Sequence, residues 1–285
     1  MARLALHDTL NGIEGLTGGL QVVAEPRDQT DWIFAGDLGD PDAGPLKALF
    51  DRFAGGGFGS NRRAVAASLL LRYGWGAGGQ IAAYLALGRT LRLTDFALQF
   101  SASTLIKGVW VREAEVGGLA GDPLATACDW TGVVAPQALR LRLLESLVDF
   151  TAPLVDSQHA WSRFSRHALW AQVASSWAAQ FAAIGERIGE RAWAVAEGRE
   201  ILALHPEIAA AAPEVYEVRG GRQSKVCQRR AACCLYFKGP RRHFCASCPI
   251  IPVGERLQRN RQWADSYPSE PFIRPAAQGP AALRA

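Results

Sequence analysis

Asp95-Phe96-Ala97-Leu98-Gln99-Phe100 and, after a short break, Leu105-Ile106-Lys107-Gly108-Val109-Trp110-Val111 are the stretches whose reading decides the fold class. Phe96, Leu98 and Phe100 alternate with small or polar neighbours, and Val109 and Val111 continue the alternation. A side-chain period of two, filled by aromatic and β-branched residues, predicts an antiparallel hairpin within 95–116. On both sides of it the apolar spacing changes to three and four residues, which is helical. A mostly helical α+β chain with one small antiparallel hairpin or sheet is therefore expected.

Outward from the hairpin, helical spacing covers Pro45 to Phe53 and is broken by Gly55-Gly56-Gly57-Phe58-Gly59. Ser60 or Asn61 then suits the N-cap of a helix over Arg63 to Arg72, because its side-chain oxygen can satisfy a free backbone N–H. A further apolar helix fits Gln80 to Leu87. Pro136, a good first helical residue, opens a helix over Gln137 to Phe150. Two more follow over Ser162 to Ile184 and Arg191 to Leu204, the second closed by Pro206. Leu169, Val173, Trp177, Phe181 and Ile184 share one buried face. Residues 1–43, rich in Gly and Asp, predict irregular structure with one short strand. The expected organisation is a helical body over 1–212, a C-terminal segment over 213–265 opened by a short strand at Val215 to Val218, and a loose Pro- and Ala-rich tail over 266–285.

With 285 residues, about half of them apolar, the chain can bury a large core. Its net charge of +4 is modest, and acidic and basic residues alternate along most of its length. Nucleic-acid binding, which concentrates basic and aromatic residues on one element, is a poor fit. No stretch reaches the roughly 18 apolar residues that span a bilayer, and Met1 to Leu10 carries no secretory h-region. The expectation is a cytoplasmic chain without a transmembrane segment.

Gly74-Trp75-Gly76-Ala77-Gly78-Gly79 satisfies the spacing of a dinucleotide-binding fingerprint. That motif needs a strand before it and a helix after it in a parallel βαβ unit, whereas Ala64 to Tyr73 reads as helix, so nicotinamide binding is not expected. His159 and His167, two helical turns apart, are more simply helix-surface or packing residues than ligands. Trp161, Arg163, Arg166 and Trp170 on the same segment line either a ligand cleft or, for the tryptophans especially, the core.

Five of the six cysteines crowd between 227 and 248. In a reducing compartment that pattern points to metal or redox chemistry ahead of disulfides. Cys233 and Cys234 are adjacent, ten residues intervene, and Cys245-Ala246-Ser247-Cys248 closes the set. Adjacent trans-linked Cα atoms lie about 3.8 Å apart, short of the roughly 4.4 Å that a disulfide needs. Soft sulfur ligands narrow the occupant to an iron–sulfur cluster, zinc or cuprous copper. Zinc sites space their paired cysteines two to four residues apart, which the second pair satisfies and the first does not. A two-iron cluster is wider and accepts thiolates from more divergent directions, but an adjacent pair can converge only where the backbone leaves strand geometry. Cys227 reads as a spare thiol beside the site, and Cys128 as an ordinary half-buried residue.

Arg230-Ala231-Ala232-Cys233-Cys234-Leu235-Tyr236-Phe237, with Phe244-Cys245-Ala246-Ser247-Cys248-Pro249, closely resembles the C-terminal motif of the FhuF-type ferric-siderophore reductases. The likeness covers about the last fifth of the chain. It implies a [2Fe–2S] cluster on Cys233, Cys234, Cys245 and Cys248 and reduction of siderophore-bound Fe(III), releasing Fe(II). Such an oxidoreductase, without a nucleotide site, takes electrons from an external donor such as a ferredoxin, a flavodoxin or a separate reductase. Lys238, Arg241 and Arg242, in the turn between the cysteine pairs, are candidates for attracting an anionic siderophore or an acidic donor, or else simply solvate that turn. The rival functions are a non-catalytic iron–sulfur carrier or sensor and a zinc-stabilised binding module.

Overall fold

A computed structural model describes residues 4–40, 44–119, 121–221, 223–239, 244–268, 271–273 and 283. The chain is α+β, with one mixed sheet, a separate two-stranded hairpin, and helices packed around both. The expected hairpin is present and longer than its alternating core. Strands β3 (Arg89–Phe100) and β4 (Ile106–Leu119) pair antiparallel, with Phe96 opposite Val111 and Leu98 opposite Val109. All four side chains are buried on one face. Three short strands complete the sheet. Strand β1 (Gln21–Val23) runs parallel to the start of β4, β2 (Trp32–Phe34) runs antiparallel along β3, and β5 (Trp130–Val134) runs parallel to the end of β4. The sheet is thus mixed, with parallel edges that the local sequence pattern did not announce.

Helix α1 (Leu4–Gly12) occupies a stretch expected to be irregular. Helix α2 (Gly44–Phe53) ends in a wide turn over Ala54–Phe58, where Gly57 and Gly59 take the positive φ that glycine tolerates. Helix α3 (Arg62–Tyr73) is capped by Asn61, whose side-chain oxygen accepts from the Ala64 N–H at 3.2 Å. A short turn and α4 (Gly78–Ala82) follow. Here the glycine-rich run has a packing explanation. A Cβ on Gly74 would lie 2.7 Å from the Ser176 Cβ, one on Gly78 2.6 Å from the Gln180 Oε1, and one on Gly79 2.9 Å from a Val22 methyl. The glycines let this segment cross its neighbours closely, and the strand that a dinucleotide loop requires is replaced by α3.

Helix α5 (Pro136–Ser162) runs through Pro153 and is longer than expected. It ends where Arg163 adopts the left-handed conformation, and α6 (Arg166–Arg187) restarts with Ser165 as its cap. His159 and His167 therefore sit on different helices rather than on one face, and His159 Nδ1 contacts the Phe164 carbonyl at 2.7 Å. Trp170 is buried in the core, Trp161 stacks on Phe50 at 4.5 Å, and Arg166 pairs with Asp156 and Glu207. The two tryptophans thus take the packing role expected of them, and Arg166 is held by ion pairs. Helix α6 is the central element: Leu169, Val173, Trp177, Phe181 and Ile184 are all buried, as their spacing predicted. Helices α7 (Arg191–Ala203) and α8 (Pro206–Ala211) pack against it. Beyond them, β6 (Glu214–Arg219) and β7 (Ser224–Arg229) form the hairpin that leads into the cysteines, and α9 (Val253–Ser266) follows them. Among the described residues no helix is long and apolar enough to cross a membrane.

Candidate metal centre

The hairpin is tied to the body before the first cysteine is reached. Gln228 on β7 donates to the Ser175 carbonyl of α6 at 3.1 Å, and Gln172 of α6 donates to the Ala232 carbonyl at 3.3 Å. After Arg229 the backbone leaves strand geometry. Residues 230–235 are irregular, Leu235 is left-handed, and a 3-10 turn covers Tyr236–Lys238. This departure is what allows the adjacent Cys233 and Cys234 to turn toward the same neighbours, since strand geometry would point them apart. The second pair lies on a tight turn in which the Cys248 N–H donates to the Cys245 carbonyl at 3.1 Å. An Arg230 N–H to Ser247 carbonyl bond of 3.0 Å joins that turn to the end of β7. Helix α9 holds the far side: Arg259 donates to the Phe244 carbonyl at 2.5 Å and Arg256 to the Ile251 carbonyl at 3.4 Å.

So arranged, the two cysteine segments face each other. Cys233 feels the charge of Cys248 and Cys245, and Cys234 that of Cys245, so the two segments bring their thiols into electrostatic reach of one another. Cys234 and Cys248 are buried, whereas Cys233 and Cys245 are half-buried and leave one edge of the group near solvent. The Leu235 N–H points at the Cys233 sulfur at 3.3 Å, and the Ser247 hydroxyl at the Cys245 sulfur at 3.8 Å. The hydrogen bond from Cys234 lowers the Cys245 thiol below its ordinary range and holds the Cys234 proton in place, so one sulfur of this pair favours the thiolate. Burial raises Cys233. Among the described residues no group of three or more His, Cys, Asp or Glu side chains is placed to hold a metal ion; the sulfur contacts are pairwise.

Arg230 supplies a test of fit that is independent of the sulfurs. It is 9% exposed, its Nε and Nη1 are buried without a hydrogen-bond partner, and its charge bears on both Cys234 and Cys245. A buried guanidinium with idle donors is costly unless an anion lies against it. Four thiolates around a two-iron cluster carry net negative charge, so the donor set and its surroundings fit that group in chemistry and in sign.

Other sequence candidates are placed as follows. Lys238 is exposed at the end of the 3-10 turn, while Arg241 and Arg242 lie outside the described residues. Cys227 is buried on β7, where desolvation pushes its thiol up to about 11; it is in neither sulfur pair. Cys128 is exposed rather than half-buried, because it sits in the turn before β5 and not on a packed face. Two cavities flank the cysteine segment without sharing a lining residue. One, of about 590 Å3, is bounded by α6, β7, Ala246, Ser247 and α9, and is mostly apolar. Its charged residues Glu186 and Lys225 lie 3.5 Å apart as an ion pair. The other, of about 200 Å3, lies beside Tyr236 and Gly239. No family model, no curated protein and no solved structure matches the chain.

Proposed function

We propose that the protein is a ferric-siderophore reductase, with Cys233, Cys234, Cys245 and Cys248 holding a [2Fe–2S] cluster. The observation that carries this is that the two cysteine segments bring their thiols within electrostatic reach of one another beside a buried guanidinium with two idle donors. The resemblance of 230–249 to FhuF-type reductases supports the same reading. What such a cluster supplies is a one-electron couple: an external donor of the ferredoxin, flavodoxin or reductase kind is oxidised, and Fe(III) of the siderophore is reduced to Fe(II), a weaker partner for hard oxygen ligands.

The chain's own contribution is to bind, screen and expose. The four cysteines that would hold the group come from two segments, so neither segment alone would carry it. Arg230 would oppose the negative charge of a bound cluster and favour its reduced form, because reduction adds a further negative charge. The Leu235 N–H and the Ser247 hydroxyl act in the same direction at individual sulfurs. Half-exposed Cys233 and Cys245 provide a short route for electrons to and from molecules docked at the surface. No proton transfer is required, and no nucleophile–base pair is needed at the site.

The test is anaerobic isolation followed by iron and acid-labile sulfide analysis, then mixing of the reduced chain with ferric siderophores. Expected are a brown protein with iron and sulfide in equal amounts, reoxidation on adding a ferric siderophore, and Fe(II) captured by a ferrous chelator. Zinc without sulfide would overturn the assignment in favour of a structural metal site. Iron and sulfide without reoxidation by any siderophore class would favour a carrier or sensor.

A further inference from the structure

The smaller cavity is built from four distant parts of the chain. Helix α2 gives Arg52 and Phe53, the turn after it gives Phe58, α3 gives Arg72, the β3–β4 turn gives Ser103 and Thr104, and the cysteine segment gives Tyr236 and Gly239. Among the described residues its lining contains two guanidinium groups and no carboxylate. Among the described residues neither arginine has an ion-pair partner. Arg52 reaches only the Ser101 carbonyl, at 3.5 Å. Arg72 lies over the Phe53 ring at 4.8 Å, donates from Nη1 to the Ser68 carbonyl at 3.2 Å, and keeps a buried Nε without any acceptor. Burial depresses the affinity of Arg72 for its proton, as expected for a desolvated cation with no anion beside it. Arg72 is also within electrostatic reach of Cys234 and Tyr236, so whatever neutralises it is held next to the candidate centre.

We infer that this cavity is an anion site that seats a negatively charged oxygen-donor arm of the ferric chelate, a catecholate or carboxylate, against Arg52 and Arg72. The assignment rests on the reductase reading for the identity of its ligand. Size limits what enters: about 200 Å3 is below the roughly 300 Å3 of pockets that enclose a whole small ligand. One arm is inserted and the iron-bearing body stays outside, on the Tyr236 and Gly239 side. Arginine suits such an arm because its planar fork presents paired N–H donors to two oxygens at once, and the Phe58 and Tyr236 rings, 6.0 Å apart, supply apolar walls. The larger cavity lacks this character, since its lysine and glutamate already satisfy each other. The specificity that follows is for chelates of net negative charge over neutral ones.

Binding is measured by tryptophan quenching and calorimetry on the full, oxidised, cluster-loaded chain without reductant. The probes are the ferric complex of a tricatecholate, which is anionic, and that of a trihydroxamate, which is neutral. Expected is tighter binding of the tricatecholate, weakened about tenfold or more by Arg72→Gln, the loss of one charge-assisted contact. Arg52→Gln, at an exposed residue, should act in the same direction and guards against misfolding of the Arg72 variant. Arg63→Gln, an equal charge change on α3 away from the cavity, should leave binding within about twofold. Equal affinity for the two complexes, or tricatecholate binding indifferent to both substitutions, would overturn the anion site. So would substitutions that weaken only the docking of an acidic reduced ferredoxin. Tight, Arg72-dependent binding with no Fe(II) formed on reduction would instead overturn the reductase assignment and leave the anion site standing.

Discussion

Replacing Arg230 by methionine should stabilise the cluster-free chain and weaken the loaded one. In the cluster-free chain Nε and Nη1 are buried donors with nothing to bond. Each unsatisfied buried donor costs about 1–3 kcal/mol, so two cost about 2–6 kcal/mol. Methionine keeps the unbranched shape of the side chain and removes both donors together with the charge. Exchanging a buried charge for a packed apolar group is often stabilising by about 1–4 kcal/mol. A gain of about 2 kcal/mol is therefore expected for the cluster-free Arg230→Met chain, a rise in urea midpoint of about 1 M at a slope near 2 kcal/mol/M. In the loaded chain the sign reverses, because the guanidinium then faces negative charge. The cluster should be lost to a chelator faster, and its midpoint potential should fall. A unit charge at about 4 Å and an effective dielectric of about 20 is worth about 4 kcal/mol. At about 59 mV per tenfold change this gives a ceiling near 170 mV, and a drop of several tens of millivolts is the expected result. Urea unfolding of both forms and a redox titration read out the two halves separately. A cluster-free variant less stable than its parent, together with an unchanged or higher potential, would show that Arg230 is merely a packing residue.

Serine at any one of Cys233, Cys234, Cys245 or Cys248 should remove most of the brown colour and labile sulfide, whereas Cys227→Ser and Cys128→Ser should keep both; a colourless Cys227 variant would reassign the ligands. Glu197→Ala should cost about 3 kcal/mol or more in denaturant unfolding, because Glu197 is 3% exposed and holds Arg140 through bonds of 2.7 and 2.8 Å while accepting from the Tyr84 hydroxyl. A loss below about 1 kcal/mol would mean that Arg140 finds compensation from Glu200, already 3.5 Å away. Cys128, exposed, should react with iodoacetamide long before Cys227, whose thiol sits at about 11 instead of 9.0. Because burial favours the neutral thiol in the fold, the contribution of Cys227 to stability should be full below pH 9 and decline as pH rises through about 11. Alkylation of Cys227 at neutral pH at the Cys128 rate would contradict its burial.

What the sequence made legible were features encoded locally. The alternation around Phe96, Leu98, Val109 and Val111 survives as the hairpin, and the buried stripe of α6 follows its three- and four-residue spacing. Helix α1 was not legible because its N-terminal donors are satisfied from far away: the Ala5 and Leu6 amides both reach the Asp129 carboxylate, at 2.8 and 3.4 Å. No capping residue stands beside it to signal a start. The break between α5 and α6 was misplaced for a related reason, since it depends on Arg163 taking a left-handed conformation that an arginine seldom adopts. Strands β1 and β5 are three and five residues long and owe their existence to pairing with β4. At the site, the cysteine spacing was readable, but Arg230 looked like one arginine among many. Its importance lies in burial and lack of partners, neither of which spacing encodes. Arg52 and Arg72 were invisible as a pair because α2 and α3 meet the cysteine segment only in three dimensions.

The size of the helical body bears on the choice between a carrier and a reductase. Holding four sulfurs requires little more than β6, β7, the two cysteine segments and α9, which already clamp one another through Arg256, Asn260 and Tyr216. The rest of the chain does something else at this junction. Helix α6 fixes the hairpin through Ser175 and Gln172, and α2, α3 and the β3–β4 turn build a walled, cationic recess beside Tyr236. Arg72 lies within electrostatic reach of Cys234. A carrier gains nothing from a rigid recess next to its redox group, because its partners dock on an exposed edge. A reductase would gain a defined distance between donor and acceptor from such a recess, whose α3 wall is held against α6 by the close approach of Gly74 to Ser176.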